Sequence, residues 1–332
     1  ILRPGKDKSL RRRHPWIFSG AVQRITGSPA PGDTVCVRSA DGSFLAWAAY
    51  SPASQIVARV WSFVEDDAID PAFIAARIAT AAALRQELLT RTDAARLVFA
   101  ESDLLPGVII DRYGDVAVLE LTTAGADRWR DAIADGCLAL PGIATVFERS
   151  DVDIREREGL APRHGLLRGT EPADRLVIHE ADAEFAVDIR RGHKTGFYLD
   201  QRASRDTARR LARGRRVLNV FAYTGAFSVA AWQGGASKVT TVDSSGPALE
   251  IARENLRRNS FPDTGIVEAD AFEELRRLRD AGRQFDLVIL DPPKLIHRQH
   301  QIDKGSRAYK DLNWLGTRLL APGGVLMTFS CS

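Results

Sequence analysis

Apolar and polar residues alternate in short runs through residues 1–65. Thr34-Val35-Cys36-Val37-Arg38 lies between the turn signals Pro31-Gly32-Asp33 and Asp41-Gly42, and Phe44 to Tyr50 and Ile56 to Trp61 supply two more strands. Strands of this kind avoid sticky edges by closing on themselves, so residues 1–65 are expected to form a small β-barrel. The period then lengthens. Asp70 reads as a helix N-cap with Pro71 in the first turn, and apolar residues recur at helical spacing through Leu89. Strands are expected at Leu104 to Ile110 and Val116 to Leu121, around the turn Arg112-Tyr113-Gly114-Asp115. A helix over Ala126 to Leu140 and a strand at Ala144 to Phe147 complete a central α+β domain over residues 66–175.

A hairpin with alternating Phe185, Val187 and Ile189 opens the last domain, residues 176–332. From Gly214 the rhythm becomes strand, helix, strand, helix. Strands are expected at Val217–Phe221, Lys238–Val242, Gly265–Glu268, Phe285–Leu290 and Val325–Phe329, with helices such as Pro247–Arg258 and Phe272–Ala281 between them. Continuous apolar strands alternating with helices mean a parallel sheet covered on both faces. The fold class is therefore α/β, with a Rossmann-like domain last. Right-handed crossovers put its ligands at the C-terminal strand ends.

At 332 residues the chain is long enough for more than one domain, and 45% hydrophobic with 27% charged residues is a globular composition. It has no apolar run of bilayer-crossing length and no signal-peptide core, so a cytoplasmic protein is expected. It starts without Met and stops at Ser332 directly after a strand-like run, which reads as a piece of a longer protein. Cys36, Cys137 and Cys331 are far apart without Cys-x-x-Cys spacing, and His297 and His300 have no acidic or cysteine partner at ligand spacing. No disulfide framework and no metal are expected. The net charge is only +3, yet the positive residues cluster, at Arg11-Arg12-Arg13 and from Arg190-Arg191 through Arg215-Arg216. Oligomeric state is not legible, and a homodimer stays open.

Four features fall at the expected strand ends. The first strand runs into Phe221-Ala222-Tyr223-Thr224-Gly225, where Gly225 permits a tight turn into a helix. With Asn219 in the strand before it, this loop is a candidate cofactor cradle. The second strand leads to Asp243-Ser244, with Asp243 placed to accept from ribose hydroxyls. The third leads to Asp270-Ala271-Phe272, a carboxylate beside an aromatic suited to adenine, and the fourth to Asp291-Pro292-Pro293-Lys294. A dinucleotide loop needs Gly-x-Gly-x-x-Gly, and here Gly225 is followed by Phe227 where a second glycine is required. A ligand bearing an aminocarboxylate, S-adenosylmethionine, suits the turn better.

Two prolines fix the loop that carries Asp291. Enzymes that methylate amino groups place an aromatic after such a loop, and this chain has Lys294. Carbon methylation needs other help: a thiolate adds to cytosine C6 and makes C5 nucleophilic. Cys331 stands at the end of the fifth strand, beside the strand carrying Asp291, whereas Cys36 and Cys137 lie in remote domains.

The chain resembles bacterial large-subunit (23S) ribosomal RNA cytosine-C5 methyltransferases with an N-terminal PUA domain. The resemblance spans nearly all of it. Its marks include Arg13-His14-Pro15-Trp16-Ile17-Phe18-Ser19-Gly20, Leu105 to Asp115, Gly192 to Arg202, Asn219 to Phe227, Asp291 to Lys294 and Ser330-Cys331-Ser332. It implies a PUA domain, a central α+β domain and a Rossmann-like class I methyltransferase domain that continues past Ser332. It also implies that Cys331 is the nucleophile and that Asp291 assists at the base. Lys294 stands where related enzymes often carry a second cysteine, and is one candidate for removing the C5 proton.

Lys194-Thr195-Gly196 is expected to close over the cofactor and meet its carboxylate. Arg11, Arg12, Arg13, Arg190 and Arg191 are candidates for RNA phosphates, and His14 and Trp16 for positioning RNA. Two other readings stay open. One is methylation of an exocyclic amine of guanine or adenine in RNA; the other is a non-catalytic RNA-binding protein.

Overall fold

The computed structural model describes residues 1–296 and 299–331, and His297 and the side chain of His300 lie outside the described residues. The chain divides into two units: Ile1–Ala181 with Val187–Leu199, and Asp182–Ala186 with Asp200–Ser332.

The first unit begins with a short helix α1 (Lys8–Arg11) and four strands, β1 (Trp16–Phe18), β2 (Thr34–Arg38), β3 (Phe44–Tyr50) and β4 (Ile56–Ser62). They form one antiparallel sheet in the order β1-β4-β3-β2. In strand pairing β1 and β2 remain the edges of this sheet, and the chain's first residues bridge between its two sides in place of a further strand. Leu2 donates its N–H to Arg38 at the end of β2 at 2.9 Å, and Arg3 donates to Ala21, just beyond β1, at 2.9 Å.

Next come α2 (Pro71–Ala83), β5 (Ala94–Phe99), β6 (Val108–Tyr113), β7 (Val116–Leu121), α3 (Ala124–Arg128), α4 (Arg130–Leu138), β8 (Thr145–Ser150), β9 (Arg163–Arg168) and β10 (Leu176–Glu180). Strands β5 to β9 form a mixed sheet in sequence order, and α2 and α4 supply Ile74, Ile78, Ile133 and Ala134 to its core. Asp70 caps α2 by accepting from the Phe73 N–H at 2.8 Å, with Pro71 at the first position, as expected. The helix ends at Ala83 and not at Leu89. Arg85 takes the carbonyl of Ala81 and forks onto Asp103 at 2.6 and 2.7 Å, which ties off the last turn. The helix expected over Ala126–Leu140 breaks at Trp129 into α3 and α4. The N-terminal strands keep a core of their own around Ile17, Val37 and Val60, but Ala49 and Trp61 pack into the core of the central region with Ile74 and Leu97. Gly125 makes this possible: a Cβ there would lie 2.3 Å from the Ala49 Cβ.

A hairpin of β10 with β11 (Ala183–Val187) leads into the second unit. That unit holds α5 (Arg202–Leu211), β12 (Arg216–Val220), α6 (Ala226–Gln233), β13 (Lys238–Asp243), α7 (Gly246–Arg258), β14 (Ile266–Glu268), α8 (Ala271–Asp280), β15 (Phe285–Leu290), α9 (Ile302–Arg318) and β16 (Leu320–Thr328). The five strands run parallel in the order β14-β13-β12-β15-β16. The order reverses beside β12, which is where open α/β sheets bind ligands. The sheet's core is apolar, with Leu218, Val220, Val242, Val288 and Leu290 wholly buried.

Candidate active site

Strand β12 ends in a loop that few sequences tolerate. Phe221, Tyr223 and Gly225 have φ of 61°, 49° and 75°, all in the left-handed region that L side chains resist. The surroundings hold it. Ala222 donates its N–H to the Val242 carbonyl at 3.0 Å, and Tyr223 donates to the Asp243 carboxylate at 2.7 Å. The Asn255 amide on α7 donates to the Thr224 carbonyl at 2.9 Å and accepts from the Ala186 N–H at 2.7 Å. At Gly225 a Cβ would come within 2.9 Å of the Ala252 Cβ, so α6 and α7 pack as closely as glycine allows.

Asp243 accepts a second backbone N–H, from Ser245 at 2.9 Å on its other oxygen. Its two oxygens thus each serve one donor and keep lone pairs for a ligand. Ser244 beside it is exposed. Asp270 caps α8 through the Phe272 and Glu273 N–H groups, both on Oδ1. Phe272 is half-buried with the Arg276 guanidinium 5.9 Å above its ring, and Ala271 is buried. Asn219 is fully buried and braces α6 by donating to the Ser228 hydroxyl at 2.9 Å.

Asp291 directly follows β15, and the Gln201 amide donates to its Oδ2 at 3.3 Å. Burial, and after it the charge of Asp200, push its carboxyl up to about 6. Leu290 pairs with Thr328 across β15 and β16, and the Phe329 N–H donates to the Leu290 carbonyl at 3.0 Å. Asp291 and Cys331 therefore leave neighbouring strands at the same end of the sheet. Cys331 and Lys294 are exposed.

These residues of the second unit fall at the C-terminal ends of the five parallel strands. The other expected site residues belong to the first unit. Thr195 is wholly buried there: its hydroxyl donates to the Asp111 carboxylate and accepts from the Tyr113 hydroxyl at 2.8 Å. Arg96 forks onto Asp111 at 2.8 Å on each arm, and burial pushes the Tyr113 phenol up, so it keeps the proton it donates. Lys194 has φ 56° and its ammonium lies 5.9 Å over the Tyr198 ring; Gly196 has φ 140°. Arg11 pairs with Asp7 at 2.6 Å, Arg12 is exposed, and Arg13 stacks 4.9 Å over Phe63. His14 accepts the Trp16 N–H at 3.2 Å, and the Trp16 indole donates to Glu101 at 2.7 Å. Arg190 is held by Glu171 and the Pro172 carbonyl, whereas Arg191 is exposed.

Sequence reasoning missed Asp200, Gln201 and Asn255. Asn255 had left a signal, a polar residue within the buried Leu249, Ile251, Ala252, Leu256 face of α7. Asp200 and Gln201 lie about 90 residues from Asp291, the carboxylate they act on, and nothing local announces the contact.

A family model for S-adenosylmethionine-dependent methyltransferases matches residues 161–331, and one for PUA-like domains matches residues 1–63. Over its whole length the chain is 48% identical to the ribosomal RNA large subunit methyltransferase I of Shewanella denitrificans and 47% identical to that of Erwinia tasmaniensis, covering 85% of each. Among solved structures, a candidate methyltransferase in complex with S-adenosylhomocysteine superposes with a TM-score of 0.82 at 24% identity, over 97% of this chain and 83% of the other. A second, a candidate methyltransferase from Streptococcus mutans, gives 0.79 at 24% identity over 98% and 84%. At that identity these two speak for the fold alone. The parallel sheet, its strained first loop and the carboxylates at its strand ends agree with the sequence matches: the chain belongs to the ribosomal RNA large subunit methyltransferase I family of S-adenosylmethionine-dependent methyltransferases.

Proposed function

We propose that this chain methylates C5 of a cytosine in large-subunit ribosomal RNA through a covalent adduct on Cys331. The observation that carries the reading is the β15–β16 register, in which Leu290 pairs with Thr328, so that Asp291 and Cys331 both follow the ends of neighbouring strands.

The donor set fits S-adenosylmethionine. Asp243 offers spare lone pairs for the ribose hydroxyls, Asp270 spends only Oδ1 on its helix cap and stands next in sequence but one to Phe272, an aromatic suited to adenine, and the Phe221–Gly225 loop follows β12 at the strand end where such ligands bind. When bound, this cofactor supplies an electrophilic methyl group. Everything else falls to the protein. The Cys331 thiolate forms a bond to C6 and pushes electrons through the ring toward N3. Asp291, whose carboxyl keeps a proton up to about pH 6 in the free protein, donates that proton to N3 as negative charge develops there. C5, now enamine-like, takes the methyl group. The C5 proton leaves to a base on the Asp291–Lys294 loop or to water, its electrons restore the C5=C6 double bond, the S–C6 bond breaks to return the thiolate, and N3 gives its proton back to the Asp291 carboxylate.

C5 and C6 are hidden in a stack, so the cytosine must be unpaired or flipped out, at a cost of about a few kcal/mol. Exposed cations such as Arg12 and Arg191 offset that cost through phosphate contacts. Residues 1–65 position the RNA, and the second unit performs the transfer.

The test is methyl transfer from radiolabelled S-adenosylmethionine to ribosomal RNA lacking the modification, followed by nucleoside analysis. Labelled 5-methylcytidine, absent with Cys331→Ala, is the expected result. Labelled methylguanosine or methyladenosine, or a Cys331→Ala enzyme that still makes 5-methylcytidine, overturns the mechanism.

A further inference from the structure

Strand β1 shows an unusual face. Ile17 is buried, while its neighbours Trp16 and Phe18 point outward, 36% and 49% exposed. Burying such rings is worth a few kcal/mol each, so two of them left in water on an edge strand mark a surface that receives something apolar. The rings are held. The Trp16 indole N–H donates to Glu101 at 2.7 Å, and the His14 ring meets it edge-on at 5.8 Å. Trp16 and Phe18 stand 6.5 Å apart at 81°, so one flat aromatic cannot lie on both. Two nearly perpendicular faces suit two rings splayed away from one another, which a paired helix does not offer.

Charge selects among apolar partners. The first 13 residues hold Arg3, Lys6, Lys8, Arg11, Arg12 and Arg13 against the one carboxylate of Asp7. Arg13, at φ 64°, ends this run immediately before His14 and carries its guanidinium over the Phe63 ring. Aromatic faces beside a cationic run fit a polyanion with flat bases.

We propose that Trp16 and Phe18 form a stacking platform for two unpaired nucleotides of the RNA, with Arg12 and Arg13 on the adjoining phosphates. This rests on the reading of RNA as substrate. It adds that the N-terminal domain selects unpaired over paired RNA, through stacking and without base-edge hydrogen bonds.

The test uses the whole chain, a labelled unpaired oligoribonucleotide and a hairpin duplex of the same length, with binding measured across a salt series. Phe18→Leu and Trp16→Leu keep an apolar side chain but lose the π face. Each is expected to weaken unpaired RNA roughly 5- to 100-fold and to leave duplex binding and the salt slope nearly unchanged. Arg12→Ala should instead flatten the slope of log K against log salt by about 0.7. Equal losses on both RNAs, or no loss on the unpaired one, overturn the platform; the second result leaves the face to a protein partner. A wild-type chain that binds neither RNA overturns the RNA reading itself. Thermal unfolding, expected to match wild type for Phe18→Leu and to fall for Trp16→Leu, which loses the hydrogen bond to Glu101, separates lost stacking from lost folding.

Discussion

Gly225→Ala tests the geometry of the cofactor loop directly. At φ 75° an L side chain costs about 1–2 kcal/mol of backbone strain. The new Cβ would lie 2.9 Å from the Ala252 Cβ and 3.3 Å from its Cα, where carbon atoms prefer about 3.5–4.0 Å. Neither atom can swing aside, since both belong to the interior of α7. α6 and α7 must therefore separate by roughly 0.5–1 Å, an overpacking cost of about 1–3 kcal/mol. The sum is about 2–5 kcal/mol.

Urea unfolding of the full chain, with cofactor affinity by calorimetry, measures both consequences. Ala252→Gly supplies the control. Alone it costs about 1 kcal/mol of helix propensity, but with Gly225→Ala it removes the 2.9 Å contact and leaves the strain and the 3.3 Å approach to the Cα of residue 252. The double variant should be more stable than the summed single effects by about 1–2 kcal/mol. Strict additivity, or a Gly225→Ala cost under about 0.5 kcal/mol, would refute the close-packing argument.

Asn255→Leu strands the Thr224 carbonyl and the Ala186 N–H, and about 2–5 kcal/mol of stability should be lost together with cofactor affinity; undiminished affinity in a folded variant counts against Asn255 as the loop's anchor. Arg155, 1% exposed, donates to the carbonyls of Leu121 and Ala161 and to Asp127, so Arg155→Leu should cost about 3–5 kcal/mol by urea unfolding, and a cost near zero refutes its structural role. Asp291 holds its proton up to about 6 in the native state, whereas the unfolded chain releases it near 3.8. The native state binds more protons between those values, so Asp291's contribution to stability is complete below 3.8 and is lost as pH rises through about 6. Asp291→Asn should flatten that stretch of the stability profile, and Asp200→Asn should move the Asp291 titration, followed by carboxyl NMR, toward acid. RNA carrying 5-fluorocytidine should trap a covalent adduct that denaturing gels resolve, because fluorine at C5 cannot leave as a proton does; no adduct argues against Cys331 addition.

The strands of the second sheet were legible because they are apolar on both faces, and a Leu218 or Val288 leaves little choice of environment. Their ends were legible too, since Gly225, Asp243, Asp270 and Asp291 each interrupt an apolar run. The central sheet was harder. In β5, Arg96 breaks an apolar run, and its charge is answered by Asp111, its register partner on β6. Tyr113 reads as a turn residue but is buried at the end of β6, its hydroxyl committed to Thr195 some 80 residues away. The end of α2 escaped for the same reason, because Arg85 finds Asp103 only in the fold. Local pattern names a side chain's preference; a partner supplied by a distant element overrides it.

The loop after β12 shows what such partners accomplish. Two non-glycine residues, Phe221 and Tyr223, at left-handed φ cost about 1–2 kcal/mol each, and neighbouring hydrogen bonds offset that cost. Asp243 takes the Tyr223 N–H, Val242 takes that of Ala222, and Asn255 holds the Thr224 carbonyl, all within the folded unit. These bonds fix the loop's backbone from within the second unit. Asp243 joins the two tasks: the carboxylate that keeps Tyr223 in place has its remaining lone pairs at the strand end where a ribose would lie. On the proposed assignment of Asp243 to the ribose, loop geometry and ligand recognition become one property of one side chain, and a substitution at Asp243 is expected to alter both.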